Sequence, residues 1–266
     1  MKKIFILAIT LFSVVFSAGA WSSNLDKGAL LLASKNLNPE TRSLLTTYIG
    51  KDHSKPAGHL RWHRRNGRLL HTEGWHILHL DAQNRPAAKD DNDAFVQIEK
   101  ALEVVRNRSQ YEKAEVSLAI QTVMNLVLDM HNLSNVALEE YPLSGTDFDF
   151  IYLKNGILGR KGTATPSSWK VLWTHRFVTY HAAYSPAMWV EEMEVMYGAK
   201  KSEFSAGTLR DWAVDIGSYS KPIYEHLKQN NNHFHFAKVH ECDMFHMSCV
   251  AKAAYRLAVL LNKNLK

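Results

Sequence analysis

A carboxylate in the middle of an apolar helical segment is the first residue whose position in this sequence suggests chemistry. Asp129 lies in the segment 113–132, with Asn125 four residues before it and Asn132 three residues after it. Residues three and four apart share one face of an α-helix, so these side chains form a polar patch. Burying a carboxylate costs free energy unless a cation, a metal ion or hydrogen-bond donors compensate its charge. Asp129 is therefore predicted to have a partner, either an Arg or Lys side chain or a metal ion.

His76 is a second residue with the chemistry of a metal ligand. It follows Trp75 at the end of a His-rich segment and precedes the apolar residues Ile77 and Leu78. This position favours an imidazole anchored beside apolar neighbours over one that is freely solvated. Neutral imidazole is the commonest metal ligand in proteins, but a surface or capping role is the alternative.

The first twenty residues have the pattern of a secretory signal peptide. Lys2 and Lys3 precede an apolar run, and the small residues 18–20 precede Trp21, as a signal peptidase requires. Cleavage would give Trp21 a free α-amine, which together with its carbonyl could chelate a metal ion; the alternative is a packed aromatic residue near the terminus. The apolar run is shorter than the roughly 20 residues that span a bilayer. We expect a periplasmic or secreted protein that is not inserted in the membrane after cleavage.

Composition predicts one domain and a weak preference for anions. Removing residues 1–20 from the 266-residue chain leaves a segment, 21–266, long enough for a single large core. The net charge of +6 falls to +4 once Lys2 and Lys3 are removed. Such a mild basic excess favours polyanionic partners without deciding the function. We expect a monomer.

Hydrophobic periodicity predicts an all-α protein with one short β-hairpin. Helices are predicted over 24–36, 39–49, 93–106, 113–132, 167–184, 186–197, 205–227 and 242–264. The hairpin is predicted between 143 and 158, where aromatic residues alternate with their neighbours and Asn155-Gly156 is a turn signal. The segment 50–92 is rich in Gly, Pro, His and Arg, which indicates a long irregular loop.

Two groups near the C-terminus leave alternatives open. Cys242 and Cys249 are the only cysteines, and they either form a disulfide or stay as buried thiols. On one straight helix, seven residues would separate them by roughly 10 Å, so a disulfide requires a break in the helix. His residues interspersed with Phe over 233–246 indicate either a metal site or a solvated loop, and the solvated loop is favoured.

Several motifs together resemble the secreted zinc-dependent single-strand nucleases of the nuclease S-one/P-one family, which is related to bacterial zinc phospholipase C. The similarity extends over the mature chain. It rests on Trp21, on Trp75-His76, and on the Asp129 helix, which resembles the H-x-x-G-D-x-H-Q-P-L-H helix of that family. Further matches are 36–39, 145–147, Trp173, 253–258 and 261–262. The resemblance implies a helical domain in which three zinc ions activate water to attack a phosphodiester.

The same resemblance implies a set of zinc ligands that this sequence keeps only in part. Trp21 matches a ligand of one zinc, and Asp26 stands where that zinc has a histidine. Asp129 matches the carboxylate that bridges this zinc to a second one. His76 matches a ligand of the second zinc. A first site rich in oxygen ligands, formed by Trp21, Asp26 and Asp129, is therefore conceivable.

The remaining ligand positions carry amides or cations. Asn125 and Asn135 stand where the family has histidines before and after the bridging carboxylate. Arg64 replaces an aspartate and Lys170 a histidine, when the latter is aligned on Trp173. Zinc sites need three or four ligands. The sequence is therefore expected to hold one zinc ion at most, or none.

Two functions from different classes follow from this pattern. The first is a metal-dependent phosphodiester hydrolase, an endonuclease for single-stranded nucleic acid, with Asp129 as a catalytic residue. The second is an inactive nuclease-like protein that binds an anionic, phosphate-containing ligand such as single-stranded nucleic acid or a nucleotide. Its ligand-binding residues would be Arg64, Lys170, Asn125 and Asn135, with the basic run 61–68 as a further phosphate-contacting loop or an ordinary solvated loop.

Overall fold

The computed structural model describes most of the predicted mature chain. The described residues are 21–57, 60, 67, 69–72, 74–88, 90–140, 149–153, 164–168, 173, 183–229, 233–234 and 236–266. The predicted signal peptide, Arg64, Lys170 and most of the helix predicted over 167–184 lie outside them. The turn predicted at Asn155-Gly156 lies outside them as well.

The described residues fold mainly into α-helices, which confirms the all-α prediction. The helices are α1 (Ser23–Lys35), α2 (Pro39–Ile49), α3 (Ala94–Arg106), α4 (Lys113–His131), α5 (Pro186–Tyr197), α6 (Lys201–Ser205), α7 (Leu209–Gln229) and α8 (Phe236–Asn264). Capping side chains set several of the helix starts. The Asn38 side chain accepts a hydrogen bond from the Thr41 backbone N–H at 2.7 Å, and Pro39 occupies the first turn of α2.

Helix α4 lies in the hydrophobic core. Most of its residues after the first turn are buried, including the polar residues Asn125, Asp129 and His131. Helix α3 packs along α4, and α8 contacts both α1 and α4. Helices α1 and α5 cross closely at Gly28, where a Cβ atom would lie 2.7 Å from the Cβ of Trp189. The absence of a side chain at this glycine allows the two helices to approach each other.

Two small sheets accompany the helices. Strands β1 (Leu78–Leu80) and β2 (Val136–Leu138) pair in parallel, with Leu78 opposite Val136. Strand β3 (Asp149–Leu153) pairs antiparallel with β4 (Ala164–Ser168) and parallel with β5 (His233–Phe234). A hairpin is therefore present, but its second strand follows the predicted end at residue 158.

The structure corrects three predicted boundaries. Ser167 and Ser168, predicted to begin a helix, end strand β4 instead. The helix predicted over 205–227 begins at Leu209, after the separate short helix α6. The last helix begins at Phe236, six residues earlier than predicted, so part of the predicted solvated His-rich loop is helical.

Helix α8 carries both cysteines and is continuous between them. Cys242 and Cys249 are buried thiols that form no disulfide, which agrees with the buried-thiol alternative and corrects the disulfide alternative. The segment Glu241–Asn264 is long and apolar enough to cross a membrane, but 78% of its most apolar window is buried inside the fold. A core helix meets the same length and composition criterion.

Candidate functional site

Asp129 lies in the last turn of α4 and is only 2% exposed. Its Oδ2 atom lies 2.7 Å from Nδ1 of His76, and its Oδ1 atom accepts a hydrogen bond from Nδ2 of Asn135 at 3.1 Å. Asn135 also donates to the backbone carbonyl of Asp129 at 3.3 Å. Hydrogen bonds to an ionised carboxylate are stronger than those between neutral groups, which offsets the cost of burying it. The structure thus joins three of the predicted site residues in one buried cluster.

The parallel strands explain why His76 and Asn135 meet at Asp129. A 3₁₀ helix, Gly74–His76, leads into β1, and a second 3₁₀ helix, Leu133–Asn135, leads into β2. Because β1 and β2 pair in parallel, the residues that precede them lie at the same end of the sheet. The Asn132 side chain accepts hydrogen bonds from the backbone N–H and the hydroxyl of Ser134, which turns the chain from α4 towards β2.

Trp21 and Asp26 form a second buried polar contact at the start of α1. The backbone nitrogen of Trp21 donates to Oδ1 of Asp26 at 3.0 Å, and both residues are almost completely buried. If the chain is cleaved before Trp21, this nitrogen becomes an α-amine that faces a carboxylate. The two residues that the family resemblance assigns to one zinc are therefore in contact with each other.

The rings of Trp21, His246 and Trp173 form a buried aromatic row with His246 in the middle. The ring of His246 lies 6.1 Å from that of Trp21 and 5.2 Å from that of Trp173, both edge-on. His246 lies in the predicted helix 242–264, as α8 confirms, but it is fully buried, which corrects the solvated alternative given for the His-rich segment 233–246. Burial lowers the pKa of His246 to about 3, although a backbone hydrogen bond involving Trp173 opposes the shift. The packed-aromatic role of Trp21 is thus present, whereas metal chelation by Trp21 stays a prediction.

The amide nitrogen of Asn125 makes structural hydrogen bonds, and its predicted role in ligand binding stays a prediction. Its Nδ2 atom donates to the carbonyl of Pro56 at 2.9 Å and to the carbonyl of Gln121 at 2.7 Å. It therefore ties the loop after α2 to helix α4. Arg64 and Lys170, the two predicted cations of the site, lie outside the described residues.

A buried charge network, which sequence reasoning did not find, lies behind the end of α4. Lys252 and Arg256 of α8 are 6% and 4% exposed, and both bind Asp215 of α7, at 2.8 and 2.5 Å. Arg256 Nη1 also lies 3.0 Å from Nε2 of His131. Burial alone would raise the pKa of Asp215, but hydrogen bonds and charge from Lys252 and Arg256 hold it below its ordinary value.

His131 connects this network to the helix turn that carries Asp129. Its Nδ1 atom bonds to the carbonyl of Val127 at 2.7 Å, so the Nε2 atom is left to accept from Arg256. Burial, with the nearby Arg256 charge, lowers the pKa of His131 to about 3. The ring is therefore neutral at physiological pH and holds Arg256 by a hydrogen bond.

The described residues do not fit a zinc cluster. Zinc needs three or four N, S or carboxylate ligands, and the part of the chain that the structure describes contains no group of three or more His, Cys, Asp or Glu residues that could hold a metal ion. His76 and Asp129 contact each other directly. The third member of the cluster, Asn135, could offer a metal ion only its amide oxygen Oδ1, which is buried and has no hydrogen-bond partner among the described residues.

No known protein-family model matches this sequence, and no curated protein matches it. The relationship to the single-strand nucleases therefore stays a prediction from the motifs.

Proposed function

We propose that this chain is a divergent member of the secreted single-strand nuclease family that binds a phosphate-containing anion and no longer hydrolyses it. The ancestral reaction would be metal-dependent hydrolysis of phosphodiester bonds in nucleic acid. The observation that carries the proposal is the direct contact of Asp129 with His76 and Asn135. In the family, the carboxylate that matches Asp129 bridges two zinc ions. In this structure the Asp129 carboxylate bonds to the side chains of His76 and Asn135.

The cations predicted around this cluster supply the reason for anion binding. Arg64 and Lys170 replace an acidic and a neutral zinc ligand, which changes a site that attracts dications into one that repels them. Guanidinium and ammonium groups bind phosphate oxygens directly. The basic run 61–68 would add contacts to a nucleic-acid backbone, with Trp62 available to stack on a base.

A second candidate function is a metal-dependent endonuclease that has kept one zinc ion. It is favoured by the 3.0 Å proximity of the Trp21 nitrogen to Asp26, because cleavage before Trp21 would make this nitrogen an amine that could bind one ion together with Asp26. Both candidates assume a monomer that is exported to the periplasm or the cell exterior after cleavage at Trp21.

Oligonucleotide binding tests the proposal. The mature protein is expected to bind a short fluorescent single-stranded oligonucleotide, with an affinity that falls as salt rises because phosphate contacts release counterions. The oligonucleotide should stay intact, with or without a chelator. Arg64→Gln and Lys170→Gln should each weaken binding, whereas Lys200→Gln, which removes an exposed cation between α5 and α6, is the matched control and should not.

Each other outcome distinguishes the candidates. Cleavage that a chelator abolishes would overturn the binding proposal and support the endonuclease. Absence of both binding and cleavage would overturn both functions. Equal weakening by the Lys200 variant would mean that net charge, and not the proposed site, attracts the oligonucleotide.

A further inference from the structure

A cavity of about 210 Å³ lies at the carboxyl ends of the parallel strands β1 and β2. Asp81 follows β1 directly and Glu139 follows β2 directly, so the parallel pairing brings both carboxylates to the same edge of the sheet. The rest of the described lining consists of His79 and of small and aliphatic residues: Leu80, Ala87, Ala137 and Leu138. The carboxyl ends of parallel strands are a common place for ligands to bind.

The imidazole of His79 has a fixed orientation at this cavity. Its Nδ1 atom lies 3.0 Å from Oδ2 of Asp93, which is 1% exposed, and the backbone N–H of His79 donates to the same oxygen at 2.8 Å. The other oxygen of Asp93 accepts from the N–H groups of Phe95 and Val96 at the start of α3. Three backbone N–H groups already donate to Asp93, so its oxygens serve as acceptors, and Nδ1 of His79 is the donor in this pair. In neutral His79, the Nε2 atom is then a hydrogen-bond acceptor.

The charges at the cavity are unequal. Asp81 is neutralised by Arg85, with Nε 2.8 Å from Oδ2, and its Oδ1 accepts two backbone N–H groups of its own loop. Glu139 accepts only the Ala82 N–H, at 3.0 Å, and forms no ion pair within the described part of the chain. None of the described lining residues is Lys or Arg. Within its described lining, the cavity therefore combines a carboxylate that forms no ion pair, an imidazole acceptor and the small apolar residues Ala87 and Ala137.

We propose that this cavity binds a small primary amine in its ammonium form. An ammonium group has three N–H donors, which match the Glu139 carboxylate and Nε2 of His79, while a short alkyl chain would lie against Ala87 and Ala137. The volume limits the ligand to a few carbon atoms, because cavities for drug-sized molecules begin at about 300 Å³. This site is separate from the Asp129 cluster, so the proposal does not depend on the proposed phosphate binding.

Titration of the full mature chain with n-butylammonium chloride, followed by NMR, tests this site. The expected result is a saturable shift of the His79 ring signals and of the backbone amides at 80–82 and 137–139. Glu139→Gln should weaken binding about fivefold, the value expected for loss of a partly exposed ion pair. His79→Gln should also weaken binding, because it removes the oriented acceptor.

The neighbouring glutamate provides a matched control. Glu140 is exposed, binds Lys221 at 3.4 Å and does not line the cavity, so Glu140→Gln should bind the amine as the unmodified protein does. The neutral isostere n-pentane and sodium chloride should produce no saturable shift. Equal binding in the Glu139→Gln and Glu140→Gln proteins would overturn the proposal, as would shifts that do not saturate.

Discussion

Replacing Asp215 by asparagine is expected to lower the free energy of unfolding by about 2–4 kcal/mol. The variant leaves Lys252 and Arg256 buried, with one carboxylate removed from between them. Breaking a fully buried ion pair costs about 3–5 kcal/mol, and the lower range applies because the Asp215 side chain is 28% exposed. Urea denaturation followed by circular dichroism measures the change.

An exposed ion pair supplies the control for this substitution. Lys35 and Glu194 lie 2.5 Å apart with side chains 59% and 36% exposed, so Glu194→Gln should cost less than about 1 kcal/mol. Equal losses in the two variants would contradict the view that burial makes the Asp215 network important. The conservative variant Asp215→Glu, which keeps the charge, should lose less stability than Asp215→Asn.

Stability is expected to fall by about 4 kcal/mol between about pH 7 and about pH 5. His131 and His246 are fully buried, and burial lowers the pKa of each from 6.5 to about 3. Between these values the unfolded chain binds more protons than the folded one, so acid favours unfolding by about 1.4 kcal/mol per pH unit for each ring. Asp215, with a pKa lowered from 3.8, loses its contribution only in stronger acid.

The two histidines can be separated by mutation. The slope of the unfolding free energy against pH is proportional to the number of protons taken up on unfolding. His246→Gln should lower this number by about one, because one of the two buried neutral rings is gone. Exposed His71 is the control, since His71→Gln should leave the slope unchanged. A slope that is the same in all three proteins would contradict the assignment of this pH dependence to the buried rings.

The helices could be predicted because their signals are local. Asn38 and Pro39 mark the start of α2, and apolar residues at helical spacing mark the buried faces of α3 and α4. The parallel pair β1 and β2 could not be predicted. Each strand has three residues, and 55 residues separate the last residue of β1 from the first of β2, so no local pattern reports the pairing.

The candidate site was predictable to the extent that burial forces a carboxylate to have partners. Asp129 in an apolar helix had to meet compensating groups, and His76 is one of the residues that the motifs selected. The charge network was not predicted because its members come from three separate helices, α4, α7 and α8. In addition, the residues around Arg256 have the apolar pattern of a packed helix. The start of α8 was predicted too late because the His and Phe residues before Cys242 follow an Asn-rich segment and lack a clear helical spacing of apolar residues.

The zinc content of the purified mature protein tests the central claim most directly. If the chain is the divergent nuclease relative proposed above, amides and cations have replaced most of the ligands that a three-zinc site requires. Elemental analysis after dialysis, without chelator, should therefore find no more than about one zinc ion per chain. Two or more tightly held zinc ions per chain would contradict the proposed loss of the zinc cluster, because each ion needs three or four ligands.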